Sequence, residues 1–417
     1  MATEDDRYRQ STQFRLWSFS PTQLAELRAK TNSLARQNIS DRLASSTASS
    51  STVASANPSG SNTPVPGATP ATDPTQVGAA PAPAPADVPT ESTSSINKAP
   101  LPEFLTPAEE EQLLRCFTVE CLRAAEFCNL PTEIRATSAI FLRRFFVTHS
   151  IMTYPPQKML KTCLFFGSKA ENSYPRVNSF AERFPNTTGE EILAGEFLLC
   201  QGLRFAFDVR HPYRALEGAI MQLRSFGDID ESKISRAQGR GRDILKFSPL
   251  VTDAYFHYTP SQIMLAALSM ADHDLFERLM QAMFAHRPSG DSNSQKAQVL
   301  SQAAKEKTVS AVMACKDMLS QEPPERMATF WDKPEEVNPF MKPFIRKLKK
   351  CRDPDRFDLV GLHKKRLEFK EGEKKPAKGA VEDDGAVFSG SNGTGKGDAD
   401  RDAKRRKVAE DPFGPPL

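Results

Sequence analysis

Apolar residues along this chain recur at three- and four-residue spacing and never in sustained alternation, so the pattern predicts helices and no strands. The first predicted helix runs from Ser20 to about Ile39. Ser20 is placed to cap it, Pro21 suits the first helical position, and Gln23 stands where a capping-box partner belongs. Its apolar stripe (Leu24, Leu27, Leu34, Ile39) is thin, which suits a helix that docks on something larger. Order resumes at Leu105, where Thr106-Pro107-Ala108-Glu109 forms a second capping box and opens a helix to about Phe127. Four more follow: Pro131 to about Val147, Pro155-Pro156 to about Lys169, a short one after Pro175, and one from near Thr188 to about Leu203 with Ile192, Leu199 and Leu203 on one face.

An extended joint, Phe205 to Arg210, leads to Pro212, and the pattern then starts again. Helices are predicted over about Glu217–Ser225, Lys233–Phe256, Pro260–Met270, His273–Phe284 and Gln295–Leu319. The string Tyr154-Pro155-Pro156-Gln157-Lys158-Met159-Leu160 is similar to Tyr258-Thr259-Pro260-Ser261-Gln262-Ile263-Met264-Leu265, allowing a one-residue shift. Five helices, a joint and five more is therefore one reading. An irregular helical bundle with a chance match is the other.

Composition limits how much of the 417 residues can fold. From Ala44 to Pro100 the chain is built mainly of Ser, Thr, Ala, Pro and Gly without an aromatic residue, and burial there could not offset the entropy of ordering. Residues 44–104 are thus expected to be a disordered linker, and the Gly-rich, charged residues 371–417 a disordered tail. The remaining ranges are 1–43 with the docking helix, 105–205 and 206–320 as the two repeats, and 321–370 as a C-terminal helical extension. With 55 basic and 52 acidic residues the net charge is only +3, which does not suit a general polyanion binder. The seven cysteines form no CxxC pair and none has a His at zinc-ligand spacing, so no metal site is expected and a reducing compartment is. The acidic N-terminus lacks the apolar core of a signal peptide, and the longest uncharged apolar run, Ile263 to Ala271, is too short to span a membrane. An intracellular, soluble protein is expected.

Several strings resemble the cyclin H branch of the cyclin family. They are Trp17-Ser18-Phe19-Ser20-Pro21 with Gln23-Leu24 and Leu27-Arg28-Ala29; Arg143 to Phe146 with Ser150-Ile151-Met152; His211-Pro212-Tyr213-Arg214 with Glu217-Gly218; Thr252-Asp253-Ala254-Tyr255; Tyr258 to Ile263; and Leu348 through Cys351 to Lys364-Lys365-Arg366. The resemblance covers about Phe14–Ile39 and Leu105–Arg366. It implies an all-α cyclin fold: two tandem five-helix repeats, the central helix of each the most apolar, with flanking N- and C-terminal helices. It also implies a regulatory subunit of a protein kinase, without cofactor or metal. The long linker, the Arg287–Asn293 loop and the tail depart from that pattern. The first repeat helix lacks the Met-Arg-Ala-Ile-Leu string of cell-cycle cyclins, so substrate docking there is not implied.

The resemblance places a kinase-facing pair on Lys169, in Gly167-Ser168-Lys169-Ala170-Glu171, and Glu196, in Ala194-Gly195-Glu196-Phe197. An ammonium offers three donors to backbone carbonyls, and a carboxylate accepts backbone N–H groups. The bland alternatives are a Lys that merely complements a helix dipole and a Glu that is solvated or paired within the fold. Glu171 and Phe166 are further candidates. Trp17 and Phe19 either anchor the kinase or staple the N-terminal helix to the repeats. Lys404, Arg405, Arg406 and Lys407 form a basic run that suits nuclear import, while Arg346-Lys347 with Lys349-Lys350 reads as a solvated helix face.

Gly239-Arg240-Gly241 is no phosphate loop, and no nucleophile–base pairing stands out, so there is no case for an enzyme. The partners implied are a cyclin-dependent kinase, the RING-finger assembly factor of the kinase module and the core of transcription factor IIH, in the nucleus. No direct contact with nucleic acid or membrane is implied. The alternatives are a cyclin for another transcriptional kinase and a nucleic-acid-binding protein like transcription factor IIB. The latter's zinc ribbon has no counterpart here, and both charge signs mix along the helices.

Overall fold

The computed structural model describes residues 4–53, 102–285, 294–327 and 334–373. All of their regular structure is helical. Three helix starts share one device. Ser20, Thr106 and Thr259 each accept a hydrogen bond from the backbone N–H three residues on, and Gln23, Glu109 and Gln262 each accept one back from the capping residue's N–H. Each box is followed by proline at the first position, where its missing N–H has no partner to lose.

The N-terminal segment holds α1 (Glu4–Gln10), α2 (Thr12–Trp17) and α3 (Pro21–Val53). The first two were not foreseen, and α3 continues past Ala44, where a linker was expected to begin. Most of the expected linker, and the tail beyond Glu373, lie outside the described residues. Chain contacts define one unit from residues 1–36 and 103–417 and another from residues 37–102.

The first repeat contains α4 (Pro107–Phe127), α5 (Thr132–Thr148), α6 (Pro156–Ala170), α7 (Val177–Ala181), α8 (Gly189–Ala194) and α9 (Glu196–Gly202). Its most enclosed element is α5, not the central α6: every residue from Ala136 to Val147 is buried, including Arg143 and Arg144. The cause is position. α5 packs against α4, α6 and α9 of its own repeat and against α11 (Glu231–Val251) of the next.

The second repeat contains α10 (Tyr213–Ser225), α11, a one-turn α12 (Ala254–His257), α13 (Pro260–Ala271), α14 (His273–Phe284) and α15 (Ser294–Ser320). α11 was expected to run to Phe256, but Thr252 is extended (φ −89°, ψ 178°) and ends it. One core joins the repeats, with Val119 and Leu122 of α4 and Ala136, Ala139 and Ile140 of α5 among Leu216, Ile220, Ile244, Leu265 and Leu268.

The turn after α11 carries Asp253 into a buried ionic cluster. Arg28 of α3 grips Asp253 through two hydrogen bonds, of 2.7 and 2.9 Å, and lies 2.8 Å from Glu111. Arg143 of α5 lies 2.6 Å from Asp253 and 3.1 Å from Glu111, and donates to the Val251 carbonyl. Burial alone would push the Asp253 carboxyl up, but the arginines outweigh it and hold it well below the usual carboxylate range. The C-terminal extension holds α16 (Pro334–Cys351) and α17 (Leu359–Glu373). Lys347 of α16 binds the capping-box carboxylate of Glu109 at 2.9 Å, and α17 packs against α8.

A candidate partner-binding face on the first repeat

The helix expected over Thr188–Leu203 is broken in two, and the break creates the site. Thr162 of α6 donates its hydroxyl to the Ile192 carbonyl at 3.1 Å, the acceptor that the Glu196 N–H would use in an unbroken helix. Gly195 sits at the break with an αR backbone, and a Cβ there would lie 2.7 Å from Thr162 Oγ1. Only glycine lets α9 start this close to α6. Glu196 therefore stands in the first turn of α9, and Lys169 stands in the last turn of α6. Both charges complement the dipole of their own helix.

The two meet. Lys169 Nζ donates to Glu196 Oε1 at 2.6 Å, and the side chains are 31 % and 22 % exposed. The ammonium also lies 4.6 Å from the centre of the Phe165 ring. In the free chain, then, the pair is satisfied within the fold yet open to water. Burial raises the thiol of Cys200, one turn along α9, to about 11; Glu196 adds to this and Lys169 opposes it.

An aromatic group borders the pair. Phe166 packs on Phe141 and Phe207, with ring centres 5.9 and 4.9 Å away, and Phe205 packs on Phe197 and Phe207 at 6.4 and 6.3 Å. Phe166 is half-buried and Phe205 is 61 % exposed. Arg204 and Phe205 have φ of +54° and +55°, where the joint from Phe205 to Arg210 was expected to be extended from its first residue. Such a backbone is costly for a bulky residue and is kept where the surroundings demand it. Here it turns a large apolar ring outward. Sequence reasoning missed Phe197, Phe205 and Phe207. The only signal was an aromatic-rich joint following an apolar helix.

Glu171, the residue that ends α6, accepts a hydrogen bond of 2.6 Å from Thr137 of α5. Trp17 is not at this surface as a free anchor. It is 1 % exposed and packs with Leu24, Val147 and Phe256, with the guanidinium groups of Arg144 and Arg204 5.4 and 5.6 Å from its ring centre. Phe19 stacks at a tilt on Phe256, donates its backbone N–H to the Phe256 carbonyl, and accepts at its own carbonyl from the His257 ring Nδ1–H. The staple, not the anchor, is what these two aromatics form. Lys404, Arg405, Arg406 and Lys407 lie outside the described residues.

Four basic side chains of the second repeat already have counter-ions: Arg224 with Glu231 at 2.7 Å, Lys233 with Asp274 at 2.8 Å, Arg242 with Glu217 at 2.8 Å and Arg278 with Asp228 at 3.0 Å. A surface that tracks phosphates needs cations free of such partners. Among the described residues no cluster of His, Cys, Asp and Glu is arranged to hold a metal ion, and no helix is long and apolar enough to cross a membrane.

The family model described as cyclin C-terminal domain matches residues 211–320, the range of the second repeat. The chain is 28 % identical over 287 residues to Cyclin CCL1 of Saccharomyces cerevisiae, covering 68 % of this chain and 63 % of that relative. It is 31 % identical over 169 residues to Cyclin mcs2 of Schizosaccharomyces pombe, covering 40 % and 52 %. The aligned stretches thus span between half and two thirds of the length of these relatives. Among solved structures, a chain of the CAK complex from Chaetomium thermophilum bound to ATP-γ-S is 43 % identical, with a TM-score of 0.70, 92 % of this chain covered and 100 % of that one. With the doubled helical body, the matched second repeat and this end-to-end likeness together, the chain belongs to the cyclin family, on its cyclin H branch.

Proposed function

We propose that the chain is the regulatory subunit of a cyclin-dependent kinase of the transcription factor IIH kinase module. In this role it supports phosphorylation of the RNA polymerase II C-terminal tail and of other kinases' activation loops. The observation that carries this reading is the Lys169–Glu196 pair, left part-way in water beside an outward-turned Phe205. The similar chain from Chaetomium thermophilum is part of a CAK complex, which supports the assignment.

A kinase of this class needs its αC glutamate paired with a strand lysine. A partner activates it by binding that arrangement more tightly than the inactive one. Moving such an equilibrium from 1:99 to 99:1 takes about 5.5 kcal/mol of differential affinity. A part-exposed ion pair contributes about 0–1 kcal/mol. Burying one aromatic side chain contributes about 1.5–3 kcal/mol. Magnitude therefore divides the labour: Phe205 and its neighbours supply most of the affinity, while Lys169 and Glu196 set where the αC helix sits and which way it points. The RING-finger assembly factor and the transcription factor IIH core are the further partners, and the nucleus is the place of action.

Purification of the tagged chain from its own cells, with identification of co-eluting proteins, tests the reading. The kinase and RING-finger factor of that module are expected. A different transcriptional kinase would move the chain to another cyclin role, and recovery with DNA and no kinase would favour the transcription factor IIB-like alternative.

A further inference from the structure

Two strings singled out in the sequence, His211-Pro212-Tyr213-Arg214 and Thr252-Asp253-Ala254-Tyr255, lie in the second repeat, away from the Lys169–Glu196 pair. Yet they are hydrogen-bonded through to Glu171, at the end of the helix that carries Lys169. Thr137 Oγ1 lies 2.6 Å from Glu171 Oε1 and 2.8 Å from His211 Nε2, and His211 Nδ1 lies 2.8 Å from the Tyr255 hydroxyl. The proton positions follow from one end. A carboxylate only accepts, so Thr137 donates to Glu171 and must accept from His211 Nε2–H. A neutral imidazole then offers Nδ1 as an acceptor, and Tyr255 donates to it. Burial keeps His211 neutral by lowering it to about 3. Every group in the chain is thereby satisfied in a single arrangement, with Tyr255 buried and Glu171 half-buried.

Glu171 ends α6, where a carboxylate faces the negative end of the helix dipole. That position is unfavourable on its own, so a carboxylate there needs a reason to stay in place. The hydroxyl of Thr137 binds Oε1, and Oε2 takes no hydrogen bond from any described residue. We propose that Thr137 and His211 are positioning residues for the kinase interface: the second repeat, through Tyr255–His211–Thr137, fixes the Glu171 carboxylate so that its free oxygen meets a donor on the kinase. This rests on the kinase-activator reading and extends the interface to a repeat that does not itself form the face. It gives the two second-repeat strings a role in partner binding beyond packing.

A double-mutant cycle on the full chain tests it, with kinase affinity and thermal midpoint both measured. Thr137→Val keeps the shape and removes the hydroxyl; Thr137→Ala is a second variant if the valine disturbs folding. In the wild-type background the change is expected to weaken kinase binding about tenfold, and Thr137→Ser to restore it. In a Glu171→Ala background the same change is expected to alter affinity by less than about twofold, since the two side chains act as one unit. Equal weakening in both backgrounds, or no weakening in either, would overturn the inference. Co-purification of the kinase with the wild-type chain serves as the control: if the wild-type chain binds no kinase, the kinase reading fails, whatever Thr137 does.

Discussion

Two groups of ion pairs in this protein use the same side-chain chemistry with opposite consequences. Arg28, Glu111, Arg143 and Asp253 are 17, 13, 0 and 15 % exposed, and their two positive and two negative charges answer one another. They join the N-terminal helix, α4, α5 and the turn after α11. Lys169 and Glu196 are 31 and 22 % exposed and join the end of one helix to the start of another within one repeat. Breaking a buried pair strands a charge and costs about 3–5 kcal/mol, whereas an exposed pair is worth about 0–1 kcal/mol. The first group is therefore a lock on the fold. The second contributes little to stability and can exchange its internal partner for an external one.

The largest expected effect follows from the lock. Asp253→Ala leaves Arg143 without its nearest anion and should lower unfolding stability by about 3–5 kcal/mol, read by denaturant titration. A loss under about 1 kcal/mol would mean that the cluster is solvated after all. The acid limb provides a second reading. Because the folded-state value of Asp253 is depressed, the stability it contributes is present above the ordinary carboxylate value and disappears as pH falls through the folded one. The variant should lose that part of its acid sensitivity.

Neighbouring carboxylates sharpen the contrast. Glu111 has its arginines, but Glu110 has only hydrogen bonds from Ser150 and Asn32, and burial pushes it up to about 7. A raised carboxyl works in the opposite direction to Asp253: between its ordinary value and about 7 the folded state holds the extra proton, so stability falls as pH rises through that window. Glu110→Gln should gain on the order of 1 kcal/mol at pH 8 and nothing near pH 4.5. Equal thermal midpoints at pH 8 would show that Glu110 is hydrated and free to ionise.

The smallest expected effect probes the exposed pair. The Cys200 thiol is held at about 11 by burial with help from Glu196. Glu196→Lys should speed alkylation of Cys200 on the order of threefold at pH 8, because a lower pKa means more thiolate. An unchanged rate would place the Glu196 carboxylate away from the Cys200 thiol in solution.

The sequence made the helix starts legible wherever the signal was local. Thr106 and Glu109 form the expected box, and α14 occupies His273–Phe284 as expected, because caps and periodicity are short-range. The ends imposed by other parts of the chain were not legible. The fifth helix breaks because Thr162, on another helix, takes the Ile192 carbonyl. α11 stops where Asp253 turns toward Arg28 and Arg143. For the site, Lys169 and Glu196 came from family resemblance, since 27 residues separate them and no local rule pairs them. Their junction is a packing result. Phe205 was missed because its exposure depends on two consecutive left-handed residues, which no composition reveals. Trp17 was ambiguous because an aromatic before a helix can face in or out, and only the groove of Leu24, Val147 and Phe256 decides it.

A Lys169–Glu196 pair that orients a kinase and does not hold up the fold can have its charges exchanged at little cost to stability. Exchanging the two charges, Lys169→Glu with Glu196→Lys, keeps an internal ion pair while inverting what a partner meets. The expected result is unchanged helix content and a thermal midpoint lowered by no more than a few degrees, because each charge then opposes the dipole of its own helix, with activation of the reconstituted kinase reduced at least about tenfold, since like charges set against each other cost several kcal/mol. Full activation by the exchanged chain would contradict the claim.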